Sequence, residues 1–168
     1  MNQNGGSQVE TVLTELAQIF PQKSLMLVTA ESCTGGGVAY EVTSIPGSSG
    51  WFERGFVTYS NLSKIQMLGV KESALEQWGA VSREVVRQMA EGAIQFSDAN
   101  ISLSITGIAG PEGDSEGKPV GTCWFGWSGT AFGTISKEKL FSGGRKQVRN
   151  QAILFSLQEL LTLVKTHF

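Results

Sequence analysis

Three polar segments, each following an apolar run, hold the reactive side chains that this sequence brings to glycine- or serine-rich junctions. They are Glu31-Ser32-Cys33-Thr34, Tyr59-Ser60-Asn61-Leu62-Ser63-Lys64 and Thr106-Gly107-Ile108-Ala109-Gly110-Pro111. A serine hydroxyl becomes a nucleophile once a base takes its proton, and the composition restricts that base. The single histidine, His167, is next to the last residue, where chains fray and catalytic geometry is hard to hold. The base must therefore be a lysine, a carboxylate or a tyrosine. Lys64 is the candidate within these segments. Its ordinary pKa of about 10.4 must fall by several units before it accepts a proton near neutrality, which burial or a neighbouring cation achieves. A solvated lysine on a short surface helix is the alternative reading.

Ser32 sits where Thr29-Ala30-Glu31-Ser32-Cys33-Thr34-Gly35-Gly36-Gly37 follows the apolar run Leu25–Val28 and leads into Val38-Ala39-Tyr40-Glu41-Val42. That order reads as strand, glycine turn, helix. Open α/β sheets bind ligands at such carboxyl ends, where the next helix presents unpaired N–H groups. The bland reading is that Ser32 and Thr34 cap a helix and Gly35 and Gly36 permit a turn. Tyr59 suits a strand, and Ser48 and Ser49 suit the turn Ile45-Pro46-Gly47-Ser48-Ser49-Gly50. Arg145, behind Ser142-Gly143-Gly144, opens the last helix, where a guanidinium and free N–H groups can hold a phosphate; Arg149 lies one turn on. A surface arginine is the alternative. Gly113–Lys118 falls one residue short of a P-loop and is followed by Pro119, and Ser115-Glu116-Gly117-Lys118 lacks the companion motifs of the penicillin-binding enzymes.

The elements that must position these groups follow from periodicity. Val9, Val12, Leu13, Leu16, Ala17 and Phe20 predict a helix over about residues 7–20, ending before Pro21. Strands are expected at 25–30, 55–59, 101–106, 120–127 and 133–141, and further helices at 36–43, 62–68, 72–78, from Ser82 onward, and about 145–164. Helices on both sides of a mixed, roughly five-stranded sheet make a three-layer α/β/α sandwich, expected as one domain over 1–168. If the strands before the three segments run the same way, the segments converge at one sheet edge.

With 40% hydrophobic residues and a net charge of −2, the chain reads as a soluble protein without the basic footprint of a nucleic-acid binder. No apolar run approaches the length of a membrane span, and the amino terminus has no secretory pattern, so the expected compartment is the cytoplasm. Cys33 and Cys123 have no metal-ligand spacing and make no disulfide framework, though a single bridge stays open.

Six ordered motifs carry a resemblance. They are Ala30-Glu31-Ser32-Cys33-Thr34-Gly35-Gly36, Gly47-Ser48-Ser49, the run from Phe52 to Asn61, Gly79-Ala80-Val81-Ser82, Thr106-Gly107-Ile108-Ala109-Gly110-Pro111 and Lys118-Pro119-Val120-Gly121-Thr122. Together they resemble the CinA C-terminal domain family, in particular its stand-alone bacterial members, over almost all the chain after residue 20. The resemblance implies hydrolysis of the carboxamide of nicotinamide mononucleotide to nicotinate mononucleotide and ammonia, in pyridine-nucleotide recycling. It implies a serine–lysine dyad of Ser32 and Lys64, no cofactor and no metal. Substrate contacts are expected at Thr34, Gly35, Gly36, Ser48, Ser49, Tyr59, Thr106, Gly107 and Arg145. Among these, N–H groups near Thr34 to Gly36 would hold an oxyanion, Tyr59 would orient Lys64 or the ring, Thr106 would hold the ribose or carboxamide, and Arg145 the phosphate. The partner is a small-molecule nucleotide, with no nucleic acid or membrane, and family members often associate as homodimers. The competing readings are a non-catalytic nucleotide-binding or regulatory module and an accessory protein of DNA recombination.

Overall fold

The computed structural model describes residues 3–113 and 117–168; Asp114, Ser115 and Glu116 of the two discounted loop matches lie outside them. Five strands, β1 (Leu27–Glu31), β2 (Phe52–Val57), β3 (Ile101–Gly107), β4 (Thr122–Gly129) and β5 (Gly133–Leu140), form one sheet in the order β2-β1-β3-β4-β5. β1 pairs parallel with both β2 and β3, while β4 and β5 add antiparallel. The sheet is mixed, as expected. The chain steps from β1 to β2 on one side and then to β3 on the other, so β1 and β3 flank a topological switch point, where such sheets bind ligands.

Helices α1 (Gln3–Gln22), α2 (Gly37–Thr43) and α6 (Arg145–His167) cover one face. Their apolar stripes pack on Leu27, Ile101, Leu103, Ile105, Phe125 and Trp127 of the sheet. Helices α3 (Asn61–Leu68), α4 (Glu72–Trp78) and α5 (Arg83–Gln95) cover the other, against Val28 and Ala30. This is the three-layer α/β/α sandwich. Among the described residues no helix is long and apolar enough to cross a membrane.

Boundaries moved where pairing overrode local signals. α1 continues through Pro21 to Gln22 rather than stopping before it. A proline in the last turn forfeits one N–H donor, and the Lys23 N–H bonds still close the helix end on Ile19 and Phe20. β2 begins three residues earlier than expected and ends before Thr58, because its parallel register runs from Leu27↔Phe52 to Glu31↔Val57. As an edge strand with one partner it has no continuous apolar run to mark it. β4 sits two residues later than expected, held by its register on β3 from Ile101↔Gly129 to Gly107↔Cys123.

The alternation in Ile101-Ser102-Leu103-Ser104-Ile105-Thr106 does not divide core from solvent. Its hydroxyl side is buried under α5. Ser102 donates to the Ala90 carbonyl at 2.7 Å, Ser104 to Val86 at 2.7 Å and Thr106 to Ala80 at 2.9 Å. Each carbonyl has two lone pairs, so Val86 and Ala90 can take a hydroxyl besides their helical bond. The helix lies so close that a Cβ on Gly126 would stand 2.8 Å from the Val86 oxygen.

α5 in turn seats α3. A Cβ on Gly92 would stand 1.9 Å from the Leu68 carbonyl oxygen, a backbone atom that cannot swing away. Gly92→Ala must therefore push apart α5 and the helix that carries Lys64. The expected loss is about 1–3 kcal/mol, read as a fall in the thermal midpoint of about 2–10 °C. An unchanged midpoint would show that this contact does not hold the two helices.

Candidate active site

β1, β2 and β3 run parallel, so the three polar segments meet at their carboxyl ends. Ser32 directly follows β1, and its N–H still donates to the Ile105 carbonyl at 3.0 Å, which ties the residue to the neighbouring strand. The chain then turns through Gly35 and Gly36, both in the left-handed region at φ 60° and 90°. Residues with a Cβ adopt that conformation poorly, and two in succession reverse the strand into α2.

Glu31 fastens this turn. Fully buried, its carboxylate accepts from the Thr34 hydroxyl at 2.6 Å, the Val38 N–H at 3.0 Å and the Ala39 N–H at 2.9 Å. The last two are donors that the first turn of α2 cannot satisfy internally. Thr34 is thus committed to Glu31. The Gly35 N–H donates to the Ser32 carbonyl and the Gly37 N–H to that of Thr34, which leaves the Thr34 and Gly36 N–H groups without a protein acceptor among the described residues.

Lys64 approaches from α3. Ser60 caps that helix by accepting from the Ser63 N–H. Side chains on a helix lean toward its amino terminus, and the Lys64 amine reaches back past its own first turn. It lies 2.7 Å from the Thr58 carbonyl, 3.3 Å from that of Tyr59 and 3.0 Å from Ser32 Oγ. The residue is 1% exposed, and among the described residues no carboxylate pairs with it. Burial pushes its pKa down to about 8, against a smaller upward pull from Cys33.

A cleft of about 180 Å³ opens over this pair, and Ser32, Lys64, Tyr59, Thr106, Gly107 and Arg145 all line it. Tyr59 and Arg145 form its exposed rim. The guanidinium donates to the Tyr59 hydroxyl at 3.0 Å and to the Gly110 carbonyl at 2.7 Å. Thr106 has already given its hydroxyl proton to Ala80 and offers a ligand only lone pairs. Arg149, one turn beyond Arg145, holds the Thr34 carbonyl at 3.0 Å instead of facing the cleft.

Ser48 and Ser49 are not part of this arrangement within the chain. They form a single 3₁₀ turn before β2, and Trp51 just after it accepts from the Leu27 N–H at the start of β1. Both serines therefore sit at the opposite sheet edge from Ser32, a strand length away, because parallel pairing fixes which ends meet. The cleft also has walls that were given no site role from the sequence: Cys33, Asn61, Ala80, Val81 and Ala109. Asn61 is the first residue of α3, and the three apolar residues carry no reactive group to mark them. Cys33 and Cys123 are free thiols. Their sulfurs crowd the same spot, 3.1 and 2.6 Å from where a Gly107 Cβ would be. A hydrogen bond from Cys123 lowers the Cys33 pKa, and the same bond together with burial raises that of Cys123.

The model of the CinA C-terminal domain matches residues 9–164. The chain belongs to this family. The nicotinamide-nucleotide amidohydrolase PncC of Enterobacter agglomerans is 50% identical over 147 residues, covering 88% of this chain and 90% of that protein. Its counterpart from Escherichia coli K12 is 49% identical over 154 residues, covering 92% and 93%. The crystal structure of a competence-damaged protein (CinA) superfamily protein from Escherichia coli superposes with a TM-score of 0.90 at 37% identity, covering 92% of this chain and 90% of that one.

In this CinA-type domain the turn geometry depends on a buried carboxylate that has no cationic partner among the described residues. Glu31→Ala leaves the Thr34 hydroxyl and two N–H groups of α2 without acceptors. Stability should fall by about 2–4 kcal/mol, measured by urea denaturation. A loss under about 0.5 kcal/mol would mean the turn is held by other contacts.

Proposed function

We propose that this chain hydrolyses the carboxamide of nicotinamide mononucleotide to nicotinate mononucleotide and ammonia, with Ser32 as nucleophile and Lys64 as base, in pyridine-nucleotide recycling in the cytoplasm. The observation that carries the mechanism is the set of acceptors around the Lys64 amine. A neutral amine has two N–H bonds and one lone pair. The Thr58 and Tyr59 carbonyls accept both N–H bonds, so the lone pair faces the third neighbour, Ser32 Oγ at 3.0 Å. The protonated amine satisfies the same three atoms by donating to each. One geometry therefore serves both protonation states, as a proton shuttle requires. The relatives named as amidohydrolases, matched over nearly their whole length, support the substrate class.

The steps follow from this arrangement. Lys64 takes the hydroxyl proton as Ser32 Oγ bonds to the carboxamide carbon, and the carbonyl oxygen becomes an oxyanion. The Thr34 and Gly36 N–H groups, without protein acceptors, supply donors for that charge. Lys64 then returns the proton to the nitrogen, the C–N bond breaks and ammonia leaves. Water, deprotonated by the same amine, attacks the Ser32 ester, and the proton passes to Ser32 Oγ as nicotinate mononucleotide departs. Arg145 at the rim holds the phosphate, and Tyr59, bonded to Arg145, steers the ring.

Purified protein should release ammonia and nicotinate mononucleotide without added metal, and Ser32→Ala and Lys64→Ala should each lower kcat/KM by at least about 10³-fold with folding intact. Wild-type protein with no turnover at any neutral to alkaline pH would overturn the assignment. Because the base works as the neutral amine and its pKa is lowered to about 8, kcat/KM should rise about tenfold per pH unit below 8 and level off above it. A profile flat from pH 6 to 9 would remove Lys64 as the base. Arg145→Ala should raise KM for the mononucleotide about tenfold with kcat within a few-fold; a large loss of kcat at unchanged KM would remove the phosphate role.

A further inference from the structure

A second and larger pocket of about 480 Å³, which Ser32 does not line, lies between α2 and the start of α6. Arg145 lines both cavities and so forms the wall between them. The pocket also carries Lys146 and Arg149, which puts three cations on one cavity of a chain whose net charge is −2. Among the described residues none of the three has a carboxylate partner. Arg145 bonds to a carbonyl and a phenol, Arg149 bonds to the Thr34 carbonyl, and the buried Arg149 Nε has no partner among the described residues. Cations gathered around a cavity and balanced only by neutral acceptors are built to receive an anion.

The rest of the lining narrows the anion's class. Tyr40 is 73% exposed and borders the pocket, so its ring is available to stack on another flat ring. Gly37 has no side chain where a Cβ would come within 2.6 Å of Ile153 Cδ1, which leaves Ile153 as an apolar floor. Glu41 is the pocket's one carboxylate and makes no ion pair with the cations; an acceptor-only group of that kind binds ribose hydroxyls. Phosphate, ribose and base each have a counterpart here. A mononucleotide held at Ser32 and Arg145 has no use for these groups.

We propose that this pocket seats the second phosphate, ribose and base of a nicotinamide dinucleotide whose nicotinamide half occupies the Ser32 cleft. The inference rests on the reading of that cleft as the carboxamide site. The pyrophosphate passes Arg145, its second phosphate meets Lys146 and Arg149, and the distal base stacks on Tyr40. Dinucleotide and mononucleotide therefore exclude one another, and the dinucleotide is a competitive ligand of the enzyme.

The test uses the full chain and two probes. One is nicotinamide adenine dinucleotide, as an inhibitor of mononucleotide hydrolysis. The other is ADP-ribose, which lacks nicotinamide, titrated by calorimetry. Tyr40→Ala and Lys146→Ala should each weaken both probes at least fivefold while KM for the mononucleotide stays within twofold, and Lys146→Arg should retain binding. Both positions are exposed, so unchanged thermal midpoints are expected. Absence of competition by the dinucleotide would overturn the proposal, as would equal weakening of mononucleotide and dinucleotide, which would make the pocket the mononucleotide's own phosphate seat. If the chain hydrolyses no mononucleotide, the carboxamide reading fails by itself. Tyr40-sensitive ADP-ribose binding would then still support the pocket, and insensitive or absent binding would refute it.

Discussion

The structure depends on an amine buried without a counter-ion. A lysine removed from water must lose charge or find compensation, and Lys64 finds three oxygen atoms and, among the described residues, no carboxylate. Those oxygens come from two separate strand-to-helix junctions. The Thr58 and Tyr59 carbonyls are fixed where β2 passes into α3, and Ser32 Oγ is fixed where β1 passes into α2. A carboxylate at this position would hold the amine charged. Neutral acceptors leave its pKa low enough to exchange a proton near neutrality.

Holding these junctions in register falls to α5, a helix that carries neither Ser32 nor Lys64. The serine hydroxyls of β3 bind α5 through the Ala90 and Val86 carbonyls, Thr106 binds the Ala80 carbonyl in the loop before it, and glycines at 92 and 126 let backbone meet backbone. Hydroxyls directed at helix carbonyls draw the helix closer than large apolar side chains would allow. That closeness places Thr106 and Ala80 on one wall of the cleft and brings α3, with Lys64, against the sheet. On the opposite face a conventional aromatic core, Phe125 with Trp127 and Phe155, supports α6 and the arginines at its start.

The two helix starts at this sheet edge are treated oppositely. At α2 the unpaired N–H groups are neutralised from within by Glu31. At α6 the first turn carries Arg145 and Lys146, cations that oppose the helix dipole and have no carboxylate partner among the described residues. One start is finished internally and serves as scaffold, while the other keeps a positive field open to solvent. This asymmetry explains how a mildly acidic chain presents a cationic rim beside Ser32 and Lys64, with Arg145 shared between two cavities.

Much of this was legible in the chain. Helical stripes, the apolar run before Ser32 and the Ser-Gly punctuation define the element order, because period and turn chemistry are local properties. Parallel pairing was not local: it decided that the segments after β1, β2 and β3 converge, and that Ser48 and Ser49, at the other end of β2, stay away from Ser32 in this chain. The buried hydroxyl side of β3 and the role of Glu31 were hidden as well, since a serine or glutamate reads as polar whether its partner is water or a helix backbone. By itself, the sequence determined which groups were available for chemistry. Tertiary structure decided the protonation behaviour of Lys64, because the desolvation that lowers its pKa arises only when α3, β1 and β2 close around the amine.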